Sequence, residues 1–324
     1  MRYDGVTILI TNWNGKKLIL PCIRDAINSA NLYKGPVELL VIDDFSSDDS
    51  VSAIQQEFPS VNIFVNEKNL GVGGAINVGF EKAMYDYVIL LNNDCYLRGD
   101  YITPMMDTIN RFNPQRVFAV MSRVYENDSE TPGGGLSRAY IHYGLLRVRW
   151  ATEGKYLEKE SYTFYATSGA MFSKKKWLEL GGMDPLFKPF YSEDVDISYR
   201  AWKRGWLIIY QPKSKLIHNQ GTTIKSNFSK KLIRFSSQKN RFLFFYKNMD
   251  DFLFNLNHWS VIFFRLLEFF IKCDFKVIIE IIKMWSKFPY FNNHKQKENL
   301  QRRLTDRDIL SISSKWYFTN APTK

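Results

Sequence analysis

Five mainly apolar runs, Val6 to Ile10, Val37 to Ile42, Val61 to Val65, Val88 to Leu91 and Val117 to Met121, recur at the spacing of βα units. Strands buried on both faces read as such runs, and helix-length gaps between them predict a mainly parallel sheet covered on both sides. The class is α/β. One gap carries a helix start, because Ser46, Ser47 and Asp48 can cap a segment running from about Ser50 to Phe58 before Pro59 stops it. Residues 122 to 160, with Gly133-Gly134-Gly135 and the polar stretch Glu126 to Thr131, are predicted to form an irregular, mobile loop. No internal repeat is present.

A chain of 324 residues with 45% hydrophobic content can bury a substantial core, which excludes a disordered protein. Cys22, Cys95 and Cys273 are too few and too scattered for a disulfide framework or a zinc-type pair, which fits a reducing compartment. The run from Val6 follows the start of the sequence without a signal-peptide pattern, so a cytoplasmic location is expected. The net charge of +11 is uneven: residues 223 to 324 hold 19 Lys and Arg against 8 Asp and Glu, while the first 222 balance. Two regions are therefore expected, an α/β domain over 1–222 and a basic, aromatic-rich helical region over 223–324.

In that second region, charges at 265, 268, 272, 276, 280, 283 and 287 recur at steps of three or four and define one face of an otherwise apolar helix. They interrupt every stretch long enough to span a bilayer. Such an amphipathic helix suits peripheral contact with the inner face of the plasma membrane. Packing on the catalytic body, or on a second subunit in a homo-oligomer, is the alternative. Its hydrophobic density disfavours nucleic acid.

Ligands of open α/β sheets gather where the strands end. Asn92-Asn93-Asp94 closes the fourth run and offers hard oxygen donors suited to Mg²⁺ or Mn²⁺ with phosphate. Asp43 and Asp44 close the second run; one could meet a nucleobase or ribose while the other orients a loop or caps a helix. Gly71-Val72-Gly73-Gly74 lets a ligand or another backbone approach closely, but matches neither a dinucleotide fingerprint nor a P-loop. Glu193, Asp194 and Asp196 open a helix; Asp196 can pair with Arg200, leaving Glu193 or Asp194 as a general base. His218 ends a strand-like run and is a candidate metal ligand beside carboxylate. No Ser-His-Asp or Cys-His pattern is evident.

Together these residues resemble the family 2 glycosyltransferases of GT-A fold, particularly the rhamnosyltransferase-like branch. The resemblance covers roughly residues 5 to 223 and rests on Ile8 to Asn14, Val41 to Asp48, Asn69 to Asn77, Leu90 to Asp94, Thr167 to Ala170, Gly181 to Asp184 and Glu193 to Asp196. It implies inverting transfer of a sugar from a UDP- or dTDP-sugar to a hydroxyl of a glycan acceptor, lipid-linked, in bacterial surface polysaccharide synthesis, assisted by Mg²⁺ or Mn²⁺. It further implies that Thr11, Trp13, Asp43, Asp44, Gly71, Gly74, Asn93, Asp94 and Gly169 contact the donor, that Asp94 and His218 hold the metal, and that Asp194, or its neighbour Glu193, is the base. Asn92 replaces the first carboxylate of the DxD motif. A sugar nucleotidyltransferase and a catalytically weak scaffold of the same fold are the competing readings.

Overall fold

The computed structural model describes residues 4–127, 131–219, 228–271 and 300–314. In chain order the body comprises β1 (Val6–Asn12), α1 (Lys16–Ala30), β2 (Val37–Asp43), α2 (Ser50–Glu57), β3 (Asn62–Val65), α3 (Val72–Lys82), β4 (Tyr87–Asn92), β5 (Cys95–Arg98), α4 (Ile102–Arg111) and β6 (Val117–Glu126). It continues through β7 (Pro132–Gly134), β8 (Ser137–His142), β9 (Leu145–Trp150), β10 (Ser161–Tyr162), β11 (Ala170–Ser173), α5 (Lys174–Glu179), α6 (Glu193–Lys203) and β12 (Leu207–His218). Three further helices follow: α7 (Lys230–Asn248), α8 (Phe252–Ile271) and α9 (Asp306–Ser314).

The main sheet has the order β10-β12-β6-β11-β4-β1-β2-β3, with β5 paired to β12 and β7 to β6. Strands β4, β1, β2 and β3 are mutually parallel, as are β6 and β12, and β11 runs antiparallel between β4 and β6. Register decides where the chemistry can sit. Thr11 lies opposite Asn92, and Asn12 opposite Asp43, so the ends of β1, β2 and β4 form one edge. Val88, Ile89, Leu90 and Leu91 are all buried, as expected of a strand covered on both faces.

The five expected strands and their helices are present. Residues 122 to 160 are more ordered than their polarity and glycines suggested. β6 continues to Glu126, and β8 and β9 form a hairpin whose two turn residues, Tyr143 and Gly144, have φ of 47° and 65°. That pair of left-handed residues suits the twist of a two-residue hairpin, and the alternation of buried Ser137 and Ala139 with more exposed Arg138 and Tyr140 sets its faces. Part of the polar stretch, 128–130, lies outside the described residues. Capping of α2 also differs: Asp48 accepts from the Ser50 backbone at 3.1 Å, whereas Ser46 and Ser47 bond across to Asp43 and Asn14.

Phe242, Leu243, Phe244, Phe245, Tyr246 and Met249 of α7 and the turn after it share one apolar core with the sheet and its helices. In α8, His258 is buried, stacks on Phe245 at 4.0 Å and bonds the Gly144 carbonyl at the hairpin turn. Phe252, Leu256, Phe263, Phe264 and Ile271 of α8 are exposed. Of the charges expected to form a stripe, 265 and 268 fall on α8, and 272, 276, 280, 283 and 287 lie outside the described residues. Among the described residues, no helix is long and apolar enough to cross a membrane.

Candidate active site

β4 ends at Asn92 and β5 starts at Cys95, so Asn93 and Asp94 form the turn at the ligand-binding edge. β5 pairs antiparallel with the end of β12, which sets His218 directly opposite Cys95. His218 Nε2 lies 3.2 Å from Asp94 Oδ1. Donor atoms of Asp94, Cys95 and His218 all lie within 4.8 Å of one another. Carboxylate, imidazole and thiol are donor types that a divalent transition ion accepts, so these residues fit the cation that the sequence implied. Burial lowers the His218 pKa, but Cys95 and Asp94 outweigh it by charge and hydrogen bonding and push the imidazole up to about 10.

Asn93 is turned away from this cluster. Its Nδ2 donates to Asn12 Oδ1 at 2.8 Å, Asn12 Nδ2 donates to Asp43 Oδ2 at 2.9 Å, and the Ser46 hydroxyl donates to the same Asp43 oxygen at 2.7 Å. This relay locks the β4 turn to the ends of β1 and β2. It requires Gly15: a Cβ there would stand 2.1 Å from Asn93 Nδ2. Asp44 is the loop-orienting carboxylate, accepting from Leu70 N and Gly71 N at 2.8 Å each and from Asn66 Nδ2 at 2.8 Å. Gly71, at φ 75°, serves as the N-cap of α3, whose first turn includes Gly74. Asp43 and Asp44 are both buried and engaged within the protein. Thr11 stands at the same sheet edge, half-buried; Trp13, also half-buried, lies 6.3 Å from the Phe228 ring, which meets Phe190 at 5.0 Å.

Tyr191 and Ser192 precede α6 with φ of 75° and 77°, a left-handed pair rare for residues with side chains. Asn240 of α7 holds the segment that leads into this pair, its Nδ2 donating to the carbonyls of Phe187, Phe190 and Tyr191. The turn delivers Glu193 and Asp194 half-buried at the start of α6, and Glu193 Oε2 is buried without a hydrogen-bond partner among the described residues. Burial, then repulsion from Asp194, pushes Glu193 up to about 8. Asp194 is also raised by burial, against the opposing bonds from Thr167 and the backbone. Ala166 N donates to Ser198 Oγ of α6 at 3.1 Å, while Ser168 accepts from Asn92 N at 2.8 Å and contacts Cys95 Sγ at 3.2 Å. Gly169 continues this segment, its N donating to Leu90 O at 2.7 Å. One short stretch therefore joins α6 to the β4–β5 turn at the sheet edge.

Residues 7–181, more than half of the chain, match the family model for glycosyl transferase family 2. The chain belongs to glycosyl transferase family 2. This transferase is 27% identical over 209 residues to N-acetylglucosaminyl-diphospho-decaprenol L-rhamnosyltransferase of Mycobacterium tuberculosis, covering 57% of the chain and 67% of the relative. It is 26% identical over 200 residues to N-acetylgalactosaminyltransferase 7 of Mus musculus, covering 56% of the chain but only 30% of the relative. Among solved structures, GalNAc-T7 with UDP, GalNAc and Mn²⁺ aligns at a TM-score of 0.58 and 19% identity, over 75% of this chain and 48% of that one. TarS 1-349 of S. aureus in complex with UDP-GlcNAc aligns at 0.52 and 13% identity, over 81% and 72%. The GT-A fold follows, and family membership sets aside the nucleotidyltransferase reading.

Three parts of the transferase site escaped the sequence reading. Cys95 was legible only as one of three scattered cysteines; its place opposite His218 depends on the β5–β12 pairing. Asn240 and Lys247, both on α7, act on residues about 50 positions away. Lys247 Nζ donates to both oxygens of Asp196 at 2.8 Å and lies 2.8 Å from Asp184, while Arg200 bonds Asp196 as expected from their spacing. Neither α7 residue carries a local signal of that role.

Proposed function

We propose that this transferase moves a sugar, with inversion, from a UDP- or dTDP-sugar to a hydroxyl of a lipid-linked glycan during bacterial surface polysaccharide synthesis. The observation that carries the proposal is the Ala166–Ser168 stretch: Ala166 N donates to Ser198 Oγ of α6, the helix that opens with Asp194, at 3.1 Å, and Ser168 contacts the Asn92–Cys95 turn. A displacement at an anomeric carbon needs that pairing of a base with an edge that receives a leaving diphosphate. The mycobacterial relative, named for a diphospho-decaprenol substrate, supports the acceptor class, and the UDP and Mn²⁺ of the GalNAc-T7 structure support the donor and ion class.

Asp94 and His218 would hold Mg²⁺ or Mn²⁺. When bound, the ion supplies positive charge to a diphosphate leaving group. Asp194 removes the acceptor hydroxyl proton; burial raises its basicity, and the Val195 backbone N–H, donating to its Oδ1 at 2.8 Å, fixes its direction. Burial raises both carboxyls, and Glu193, also repelled by Asp194, is pushed up to about 8. Asp44 and Asn12 frame the donor crevice through the glycine loop and the Asn93 turn. The exposed apolar face of α8, with the basic excess of the C-terminal sequence, supports peripheral contact with an anionic membrane.

The experiment is a donor panel of UDP- and dTDP-sugars with polyprenyl-diphosphate-linked GlcNAc and Mg²⁺ or Mn²⁺, followed by NMR of the product anomer. Transfer with inversion is expected. Retention, or absence of both transfer and donor hydrolysis despite nucleotide binding, would replace it with a different mechanism or with the scaffold reading.

A further inference from the structure

Cys95 is the first residue of β5 and is fully buried, yet its thiol faces polar atoms. Its Sγ lies 3.9 Å from Asp94 Oδ1, 3.2 Å from Ser168 Oγ and within 4.8 Å of the His218 donor nitrogen. Asp94 Oδ1 is in turn 3.2 Å from His218 Nε2. Ligands on one tetrahedral ion, at about 2.0–2.2 Å for oxygen and nitrogen and about 2.3 Å for sulfur, stand roughly 3–4 Å from each other. The Asp94–His218 and Asp94–Cys95 separations already match neighbouring positions around a single cation. The carboxylate absent at Asn92 leaves the DxD motif one charged donor short, and Cys95 is the donor that the β5–β12 pairing brings to the same point.

We propose that Cys95 Sγ is the third protein ligand of the divalent cation, making an oxygen, nitrogen and sulfur site in place of the all-oxygen environment that Mg²⁺ favours. This rests on the metal-assisted transferase reading above. Binding forms one metal–sulfur bond and breaks the S–H bond, whose proton leaves to solvent; no electron is transferred. A thiolate ligand shifts selectivity from Mg²⁺ toward Mn²⁺, Co²⁺ and Zn²⁺, because softer donors hold transition ions better. Cys22 offers an internal control: it is also buried, but its Sγ contacts the Asn92 carbonyl at 3.6 Å and falls outside the cluster.

The test is titration of the full chain with Co²⁺ in the presence of UDP, read by ultraviolet-visible absorption and by calorimetry. A sulfur-to-cobalt charge-transfer band is expected in the unmodified protein and in Cys22→Ser, and its loss is expected in Cys95→Ser and Cys95→Ala. Zn²⁺ and Co²⁺ affinity should fall in Cys95→Ser by more than the roughly 10–100-fold that loss of an outer-shell partner costs, while Mg²⁺ affinity changes little. Melting curves confirm that each variant is folded. Co²⁺ binding that depends on Asp94 and His218 but gives no sulfur band overturns the Cys95 assignment and leaves the metal-assisted transferase intact. UDP binding with no Co²⁺ binding at all overturns both.

Discussion

Nζ of Lys247, on α7, donates to both carboxylate oxygens of Asp196 at 2.8 Å, two residues beyond Asp194. With Arg200 on the other side, the carboxyl is held well below the usual carboxylate range, by Arg200 first and then Lys247, despite its burial. Replacing Lys247 with methionine leaves a buried charge short of a partner and is expected to cost about 3–5 kcal/mol, read from chemical denaturation. The double variant Asp196→Asn, Lys247→Met should recover part of that loss. A change under about 0.5 kcal/mol in Lys247→Met would show that α7 does not brace α6.

The acid pair makes stability depend on pH in a definite direction. Glu193 is raised from 4.5 to about 8 in the folded protein, so the stability linked to its proton is complete below about pH 4.5 and is lost as pH rises through about 8. Glu193→Gln removes that loss. Its melting temperature relative to the unmodified protein should therefore climb between pH 4.5 and 8 and level off above. A difference independent of pH would mean that Glu193 titrates normally.

Gly15 tests the frame beneath the proposed metal site. A Cβ at this position would meet Asn93 Nδ2 at 2.1 Å and Asn12 Oδ1 at 2.7 Å, so alanine must break the amide relay that fixes the β4 turn. Gly15→Ala is expected to weaken Mn²⁺-dependent UDP binding roughly 10-fold by displacing outer-shell support, with the ligating side chains unchanged. Unaltered calorimetric affinity would make the relay irrelevant to the site.

Membrane contact is best tested on single faces of α8, because the core packing of α7 rules out a clean deletion of the C-terminal region. Phe263→Glu with Phe264→Glu should reduce flotation with anionic vesicles, and raised salt should weaken binding of the unmodified chain. Equal flotation of both proteins would remove this face from the membrane.

The sheet and the acidic strand ends were legible because burial on both faces writes itself as apolar runs, and strand ends are where polar residues reappear. The β8–β9 hairpin was hidden by a Tyr-Gly turn that carries no Asn-Gly signature. Long-range contacts were the remaining gap. Spacing paired Asp196 with Arg200 along one helix, but could not foresee Lys247 of α7 or the Cys95–His218 juxtaposition, which arise only when separate elements pack. Likewise, Asp43, Asp44 and Asn93 advertised a polar edge, while their hydrogen bonds show them framing it.

The most direct measurement compares Asp194→Asn with the unmodified transferase in donor binding by calorimetry and in sugar transfer to a polyprenyl-diphosphate acceptor. Amide replacement keeps the size but removes the base. Donor affinity should hold within about 3-fold while transfer falls about 10²–10⁴-fold, as removal of a general base predicts. Transfer retained near the unmodified rate would contradict the assignment of Asp194 as the base.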